Sequence, residues 1–222
     1  MNGHDFTLSG AAMTALPSGA LWLQESRTLA VSDLHLGKAE RIARREGRLT
    51  PPYEIRETLT RLADVIAATR PVTVICLGDS FDDDAAAQTL PEEAHREIAR
   101  LMAGKRWIWI AGNHDPAPPG LAGAHLNEHR IGPLTFRHIA EPGSTGEISG
   151  HYHPKVRLRG RRKCFLADED RVILPAFGAY TGGLDIDDPA FEALMGPNAL
   201  ALMIGAKVTP APRAALARKA CA

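Results

Sequence analysis

The segment Trp107-Ile108-Trp109-Ile110-Ala111-Gly112-Asn113-His114-Asp115 joins an apolar run to four consecutive residues that are able to carry chemistry. A buried strand that ends in a small residue and a polar turn is how α/β proteins place reactive side chains at the carboxyl edge of a sheet. The tetrad Gly112 to Asp115 offers an amide oxygen, an imidazole and a carboxylate. Taken alone, such a tetrad is more typical of a turn whose side chains bond the local backbone. Its meaning therefore depends on the other strand ends.

Two earlier strands end in the same manner. The run Val72 to Leu77 is almost continuously apolar, as in a strand buried on both faces, and Gly78-Asp79-Ser80-Phe81-Asp82-Asp83-Asp84 follows it. Upstream, residues 20–23 and 28–32 predict a hairpin whose second strand runs into Asp33-Leu34-His35-Leu36-Gly37-Lys38. Helices are predicted from Pro51-Pro52 onward and from Ala85 to Ala103. This order of strands and helices predicts an α/β fold.

Beyond Asp115 the pattern changes to short strands between turns, which predicts an antiparallel meander. The predicted strands are residues 125–131, 134–139, 147–149, 156–159, 164–167 and 172–174. Two strand ends again carry histidine, at His138 and in Gly150-His151-Tyr152-His153-Pro154. From Lys207 the sequence holds Pro, Ala and basic residues without a carboxylate. We therefore expect one domain over residues 1–206 and a loosely ordered tail over residues 207–222.

The composition is that of a soluble globular domain, with 222 residues, 45% hydrophobic and 23% charged. Its 26 basic and 26 acidic residues give a formal net charge of zero, so any contact with nucleic acid has to come from local patches. The cysteines Cys76, Cys164 and Cys221 are far apart, and we expect no disulfide framework. Neither a signal-type N-terminus nor a run long enough to span a membrane is apparent, which predicts a cytoplasmic protein.

The strand ends together present seven oxygen and imidazole donors: Asp33, His35, Asp79, Asn113, His138, His151 and His153. This mixture suits Mn²⁺, Fe or Zn²⁺ and lacks the thiolates of a structural zinc site. Seven ligands are too many for one tetrahedral ion, whereas a shared carboxylate would allow two ions. Two metals are the usual device for displacement at phosphorus, because they activate water and stabilise both developing oxygen charges. The donor set therefore predicts phosphoester hydrolysis.

In order and spacing, these blocks resemble the calcineurin-like metallophosphoesterases. The pattern of that family is Asp-x-His, Gly-Asp-x-x-Asp, Gly-Asn-His-Asp/Glu, a single His and Gly-His-x-His, and this chain matches it between Asp33 and His153. The resemblance implies a four-layer αββα sandwich of two mixed β-sheets flanked by helices. It implies one metal bound by Asp33, His35, Asp79 and His153, and a second bound by Asp79, Asn113, His138 and His151, with Asp79 as the bridge.

The resemblance also assigns roles to the rest of the tetrad. It implies that His114 contacts the phosphate and protonates the leaving group without binding metal, while a hydroxide between the metals attacks phosphorus. Asp115 is implied to orient His114. We expect the two metals to be Mn²⁺, with Fe or Zn²⁺ as alternatives. Among the ligands only His138 has competitors, His125 and His129, and we favour His138 because the ligands cluster at strand ends.

The chain departs from the family at one position. Many members carry Arg after Gly-Asp-x-x-Asp, where this sequence has Asp83 and Asp84. A phosphate contact assigned to that Arg is therefore missing. We expect Lys38 or Arg41, which follow the first ligand pair, to supply it.

A narrower resemblance covers most of the chain. The opening Asp-Leu-His-Leu-Gly-Lys and the late segment from Leu174 to Gly183 resemble a bacterial subgroup, the ligase-associated DNA damage response endonucleases called PdeM. That resemblance implies metal-dependent cleavage of DNA, with a DNA ligase and a helicase as partners in repair. Phe177 and Tyr180 would then either wall the substrate pocket, where a ring stacks on a base, or pack a turn.

Two basic clusters adjoin the ligand motifs. One is Arg41, Arg44, Arg45 and Arg48, and the other is Lys155, Arg157, Arg159, Arg161, Arg162 and Lys163. Each is able to follow a phosphate backbone past the metals, and solvated surface is the alternative.

Three hypotheses about function follow. The preferred one is a two-metal phosphodiesterase that acts on DNA. The second keeps the site but changes the substrate to a nucleotide or another small phosphodiester, which zero net charge favours and the basic clusters oppose. The third is a non-catalytic scaffold, which would be expected to lose ligands or the acid; this chain retains all of them.

Overall fold

The first β-sheet is a mixed sheet of seven strands. The computed structural model describes residues 2–47, 53–83, 89–115, 121–158 and 160–216, and of residues 44–46 only the backbone. The strands lie in the order β1 to β7. Their bounds are β1 (His4–Leu8), β2 (Ala11–Ala15), β3 (Leu21–Leu23), β4 (Thr28–Val31), β5 (Thr73–Leu77), β6 (Arg106–Ile110) and β7 (Ala124–Leu126). Strands β1 to β4 pair antiparallel, whereas β4 to β7 pair in parallel. The carboxyl ends of β4, β5 and β6 therefore share one edge.

The second sheet has eight strands in the order β15-β14-β12-β13-β10-β9-β8, with β11 paired to β12. Their bounds are β8 (Glu128–Ile131), β9 (Leu134–Arg137), β10 (Glu147–Ser149), β11 (Lys155–Arg157), β12 (Arg161–Ala167), β13 (Arg171–Ile173), β14 (Leu200–Met203) and β15 (Thr209–Pro212). Strand β10 pairs in parallel with both β9 and β13. The other ladders are antiparallel.

The prediction of an antiparallel meander is therefore wrong at the centre of this sheet. The error arises because hydrophobic alternation identifies a strand but does not determine which strand pairs with it; that depends on contacts between distant parts of the chain. The predicted strand 125–131 is also divided: β7 completes the first sheet beside β6, and β8 begins the second beside β9. The chain thus crosses between the two sheets at Asn127.

Two long helices cover the outer face of the first sheet. They are α2 (Glu54–Thr69) and α3 (Glu92–Met102), and they follow α1 (Lys38–Glu46) along the chain. The apolar positions that predicted α2 include Leu59 and Leu62, which are buried against Val74 and Trp107. Of the second predicted helix, Ala85 to Ala103, residues 85–88 lie outside the described part of the chain, and α3 begins at Glu92. The sequence did not predict α1, nor the hairpin β1–β2.

Alternating side chains of the central strands enter two different cores. In β5, Val74 and Cys76 face the helices, whereas Ile75 and Leu77 face the second sheet. This alternation follows from the period of two in a strand, and it confirms that β5 is buried on both faces. The core between the sheets is completed from the second sheet by residues that include Phe136, Ile148, Phe165, Val172 and Leu202.

The outer layer of the second sheet is thin. Residues 184–199 cover it, with a 3₁₀ helix at Pro189–Phe191, and Phe191 and Leu194 pack on Cys164 and Ile173. The structure thus has the predicted α/β sandwich of two mixed sheets, with irregular chain replacing most of the fourth, helical layer in the described residues. No helix of the described ranges has the length and apolar character required to cross a bilayer.

The expected loose tail contains ordered structure as far as Leu216. Strand β15 pairs antiparallel with β14, with Pro210 and Pro212 opposite Leu202 and Leu200, and α4 (Arg213–Leu216) follows. Proline is tolerated here because β15 is an edge strand, where an absent N–H costs no ladder bond. The prediction of a loose tail from Lys207 is therefore wrong over residues 207–216. Residues 217–222 lie outside the described chain.

Candidate metal centre

The two sheets bring their strand ends together at one edge of the sandwich. Asp33 and His35 follow β4, Asp79 follows β5, and Asn113 follows β6. From the second sheet, His138 follows β9, and His151 and His153 follow β10. All seven predicted ligands therefore lie at the same edge.

The ligands form two groups that meet at Asp79. One atom each of Asp33, His35 and His153 lies within 4.8 Å of the others, and the same holds for Asp79, His138 and His151. Oδ2 of Asp79 lies 3.4 Å from Nε2 of His138 and 3.9 Å from Nε2 of His35, so it faces both groups. The two groups and the shared carboxylate have the composition that the motifs implied.

Asn113 lies beside His138 of the second group. Oδ1 of Asn113 lies 2.9 Å from Nε2 of His138, and Nδ1 of His138 lies 2.9 Å from the carbonyl oxygen of Leu77. The carbonyl holds the imidazole so that Nε2 points into the centre. His138 occupies this position, whereas His125 contacts the carbonyl of Leu121 instead.

Several buried atoms of the centre have no hydrogen-bond partner within the described chain. These atoms are Oδ1 of Asp33, Nε2 of His35 and Nε2 of His153, although the first and third lie only 3.1 Å apart. Leaving a buried polar group unsatisfied costs about 1–3 kcal/mol. A divalent cation would satisfy all three atoms together, and carboxylate with imidazole suits Mn²⁺, Fe or Zn²⁺. The donor set therefore fits a metal ion at this place.

The charges of the centre also fit a cation. Burial raises the pKa of Asp33, but the close approach and charge of His153, with the charges of His138 and His35, outweigh it and lower the pKa to about 2. Burial lowers the pKa of His138, but Asp79 and Asp33 outweigh it and raise the pKa to about 9. The metal-free centre therefore holds a proton on His138 at neutral pH, which a bound metal has to displace.

The backbone at the ligands is strained. Five of the seven ligands have φ between 45° and 69°, in the left-handed region that non-glycine residues rarely adopt. Such a conformation costs about 1–2 kcal/mol per residue and persists where the surrounding structure imposes it. The five are Asp33, His35, Asp79, His151 and His153.

Two glycines let the ligand turns approach each other. A Cβ on Gly112 would lie 2.2 Å from the backbone N and from Oδ1 of Asp79. A Cβ on Gly150 would lie 1.7 Å from Oγ of Ser32 and 2.6 Å from Oδ2 of Asp33. Only glycine fits at either position without displacing a ligand.

His114 borders the centre without joining either ligand group. Its backbone N–H donates to Oδ1 of Asp79 at 2.9 Å, and its Nδ1 lies 3.1 Å from the carbonyl oxygen of Asp82. Nε2 lies 4.0 Å from Oδ2 of Asp79, and 40% of the side chain is exposed. The carbonyl fixes the proton on Nδ1, so that Nε2 faces the open side of the centre.

Asp115 does not have the orienting role that the sequence predicted. Its Oδ2 accepts a hydrogen bond from the N–H of Phe81 at 2.9 Å, and only 1% of the residue is exposed. The turn directs this carboxylate back into the protein, where burial raises its pKa to about 7. The carbonyl of Asp82 holds the imidazole of His114 in its place.

Asp82 is the site residue that sequence reasoning missed. It is fully buried, and its Oδ1 lies 2.9 Å from Nδ1 of His35 and 3.4 Å from Nζ of Lys38. Arg41 pairs with the other oxygen. These contacts outweigh burial and hold the pKa of Asp82 well below its usual range. Asp82 therefore orients a ligand histidine. Its position as the second Asp of Gly-Asp-x-x-Asp was the available signal.

Comparison with known proteins agrees with this geometry. A model of the calcineurin-like phosphoesterase family matches residues 26–181. The chain belongs to this family. Its structure is similar to the crystal structure of the Pseudomonas putida nuclease MPE, with a TM-score of 0.75 and 27% sequence identity over 94% of this chain and 100% of that one. A search of curated proteins found no match. The chain is thus a metal-dependent phosphoesterase, and the family predicted from the motifs is confirmed.

In this phosphoesterase, Lys38 and Arg41 lie beside the first ligand group. Both pair with Asp82, which contacts His35. Their side chains are 15% and 21% exposed. Lys38 and Arg41 therefore lie next to the first ligand group, each paired with Asp82.

The glycine-rich segment separates its two aromatic side chains. Phe177 is buried in the core, with the guanidinium of Arg61 4.8 Å from its ring centroid, so its predicted place in the pocket wall is wrong and the packing alternative holds. Tyr180 is 45% exposed and has a φ of 56°. The N–H of Gly178 donates to the carbonyl of Asp33 at 3.0 Å. The segment therefore helps to hold Asp33, a predicted metal ligand, in place, and it exposes the ring of Tyr180 to solvent.

The second basic cluster mostly holds this segment in place. Arg159 lies outside the described residues, as do Arg48 and the side chains of Arg44 and Arg45. Four other cations of the cluster are paired with groups of the protein itself, so the case that this cluster binds a phosphate backbone is weaker than the sequence suggested. Lys155 donates to the carbonyl of Thr181, Lys163 donates to the carbonyls of Ala176 and Gly178, and Arg157 and Arg161 pair with Asp185.

Proposed function

We propose that this phosphoesterase hydrolyses phosphodiester bonds of DNA, with two divalent metals and with His114 as general acid. The observation that carries the proposal is the pair of ligand groups that meet at Asp79, with a non-ligand imidazole beside them. When bound, the two metals would supply the positive charge that lowers the pKa of water and stabilises charge on the phosphoryl oxygens. Mn²⁺ is the expected metal.

The chain's own residues then orient and transfer a proton. His114 is held through Nδ1 by the carbonyl of Asp82, so that, when protonated, its Nε2 is the atom that gives a proton to the leaving oxygen. Lys38 and Arg41 would hold the phosphate or its neighbour. No side chain of the chain is needed as a nucleophile, and no covalent intermediate is proposed.

Two observations support DNA as the substrate. The solved structure with 27% identity is that of a nuclease, and the motifs resemble the PdeM subgroup. We extend this resemblance to a setting in bacterial DNA repair, in the cytoplasm, with a DNA ligase and a helicase as partners.

A small phosphodiester is the second candidate. Lys155, Arg157, Arg161 and Lys163 contact the segment from Ala176 to Asp185, which leaves fewer cations for a long polymer. The zero net charge also favours it.

A substrate panel with Mn²⁺ separates the two candidates. It compares a phosphomonoester, a small aryl diester, single-stranded DNA and duplex DNA. Binding through several phosphates weakens steeply with salt. If DNA is the substrate, kcat/KM for the DNA oligomer should fall as salt is raised from roughly 50 to 200 mM, whereas kcat/KM for the aryl diester should change little. Equal salt dependence for both substrates would favour the small phosphodiester.

The role of His114 is tested by His114→Ala. Because His114 is outside both ligand groups, the variant should bind two metals as tightly as the wild type. Loss of a general acid should lower turnover about 100- to 10,000-fold. Unchanged turnover at equal metal occupancy would show that the proton comes from elsewhere.

A further inference from the structure

Two cations bind three consecutive carbonyl groups of the glycine-rich segment. The amino group of Lys163, on β12, donates to the carbonyl of Ala176 and to the carbonyl of Gly178, each at 2.7 Å. The guanidinium of Arg61, on α2, donates to the carbonyl of Phe177, which lies between them. Side chains from both sheet layers therefore hold the same stretch of backbone.

The peptide groups that these cations bind are also hydrogen-bonded to the turn that carries the ligand Asp33. The N–H of Gly178 donates to the carbonyl of Asp33 at 3.0 Å, and it belongs to the peptide group whose carbonyl binds Arg61. The N–H of Phe177 donates to the carbonyl of Ser32 at 2.7 Å, and the carbonyl of that peptide group binds the lysine. One peptide group thus separates each cation from the backbone of the ligand turn.

A cation at the carbonyl of a peptide group strengthens the hydrogen bond that its N–H makes, because hydrogen bonds in a chain polarise one another inside a protein. Placing two cations side by side is itself unfavourable. After burial, the charge of Arg61 is the main cause that lowers the pKa of Lys163. The bonds of both cations to the segment offset this repulsion.

The backbone of Asp33 requires support because its φ of 53° lies in the left-handed region, and such a conformation persists only where its surroundings impose it. The same segment also reaches the second ligand turn. A Cβ on Gly183 would lie 2.1 Å from the carbonyl oxygen of His153, and the N–H of Leu184 donates to the carbonyl of Tyr152 at 3.1 Å. The segment therefore connects two ligands that follow strands of different sheets and whose side chains approach to 3.1 Å.

We infer that Arg61 and Lys163 are positioning residues for the first metal. Through the peptide groups of the glycine-rich segment, they hold the backbone of Asp33 in the conformation in which its carboxylate faces His153. This inference rests on the proposed function, and it assigns a role in metal affinity to two cations that lie outside every ligand motif.

The variants Arg61→Met and Lys163→Met test it by removing one cation at a time. Each should raise the Kd of the first metal, because loss of a group that supports a ligand typically costs about 10- to 100-fold, and each should leave the second site unchanged. The sites are measured separately by Mn²⁺ titration calorimetry, in His151→Ala protein for the first site and in His153→Ala protein for the second. Arg61→Lys keeps the charge and should recover part of the affinity.

Arg27→Met is the matched control. The guanidinium of Arg27 also donates to a backbone carbonyl, that of Arg70, but at the opposite end of β4 from the ligands. This variant should leave both metal sites unchanged. Circular dichroism of every sample verifies that the protein is folded.

Amide hydrogen exchange in the metal-free protein provides a second readout. The N–H of Gly178 should exchange about tenfold faster in Arg61→Met than in the wild type, because its hydrogen bond is weakened. The same is expected for the N–H of Phe177 in Lys163→Met.

The possible results separate the inference from the proposed function. Wild-type affinity of the first site in the folded variants, an equal loss at both sites, or unchanged exchange of both amides overturns the inference while the proposed function stands. A folded wild type that binds no metal overturns the proposed function, and the inference with it.

Discussion

The substitution Asp82→Asn should weaken metal binding without unfolding the protein. Asp82 is fully buried and contacts His35, Lys38 and Arg41. The amide preserves the shape and an oxygen near Nδ1 of His35, but it removes the charge that orients the imidazole and raises its basicity. Loss of such a supporting carboxylate typically costs 10- to 100-fold in metal affinity, which is about 1.4–2.7 kcal/mol.

The same change should lower stability moderately. Breaking a fully buried ion pair costs about 3–5 kcal/mol, but the side chains of Lys38 and Arg41 are 15% and 21% exposed and are able to turn to water. We therefore expect a loss of about 2 kcal/mol in the free energy of unfolding, which lowers Tm by about 4–8 °C in a chain of this size.

Metal titration by calorimetry checks this prediction, with Tm measured on the same samples. The control is Asp168→Asn, since Asp168 also accepts several hydrogen bonds, from the N–H groups of Asp170, Arg171 and Gly196, but lies in the β12–β13 turn. It should leave metal affinity unchanged. Wild-type affinity for both metals in a folded Asp82→Asn variant would refute the orienting role of Asp82.

Three further predictions follow from the centre and its support. The pKa of His138, about 9 without metal, requires that metal binding near pH 7 release a proton and that affinity rise with pH up to about 9; calorimetry in buffers of different ionisation enthalpy measures this release, and none should be seen if His138 is not a ligand. Burial and neighbouring cations lower the pKa of Lys163 to about 7 from 10.5. Between these two pKa values the amine is neutral in the folded protein and protonated in the unfolded chain, so unfolding takes up a proton. The free energy of unfolding should therefore rise with pH in this range, by at most about 1.4 kcal/mol per pH unit. Denaturation at pH 6–9 should show this rise in the wild type and not in Lys163→Met. Gly150→Ala should displace Asp33, at a cost of about 1–3 kcal/mol, and lose the first metal before the second; unchanged occupancy of both sites would contradict the close packing.

The sequence predicted the parts of the fold that local patterns determine. The central strands and α2 follow from hydrophobic periodicity, and β5 has the two buried faces that its apolar run indicated. The parallel placement of β10 between β9 and β13 was not predictable in this way. Strand partners depend on contacts between distant parts of the chain, which a local pattern does not contain.

The residues of the centre were predictable, but part of their supporting contacts was not. Motif order identified the donors that converge, because strands with parallel neighbours end at a common edge. The direction of a side chain within a tight turn depends on φ, and this is why Asp115 was wrongly expected to hold His114. Asp82 contacts Lys38 and Arg41 across 44 and 41 residues of sequence, and Arg157 and Lys163 make their contacts across 28 and 15. The pattern of residues along the chain does not predict such partners.

Turnover as a function of bound Mn²⁺ shows whether the two ligand groups form a catalytic two-metal centre. Metal-free protein is titrated with Mn²⁺, and hydrolysis of single-stranded DNA and of an aryl diester is measured at each occupancy. A centre built from two ligand groups should give no turnover without metal and a maximum at two ions per chain. Full turnover with one ion or none, or a folded protein with two bound ions that cleaves neither substrate, would contradict it.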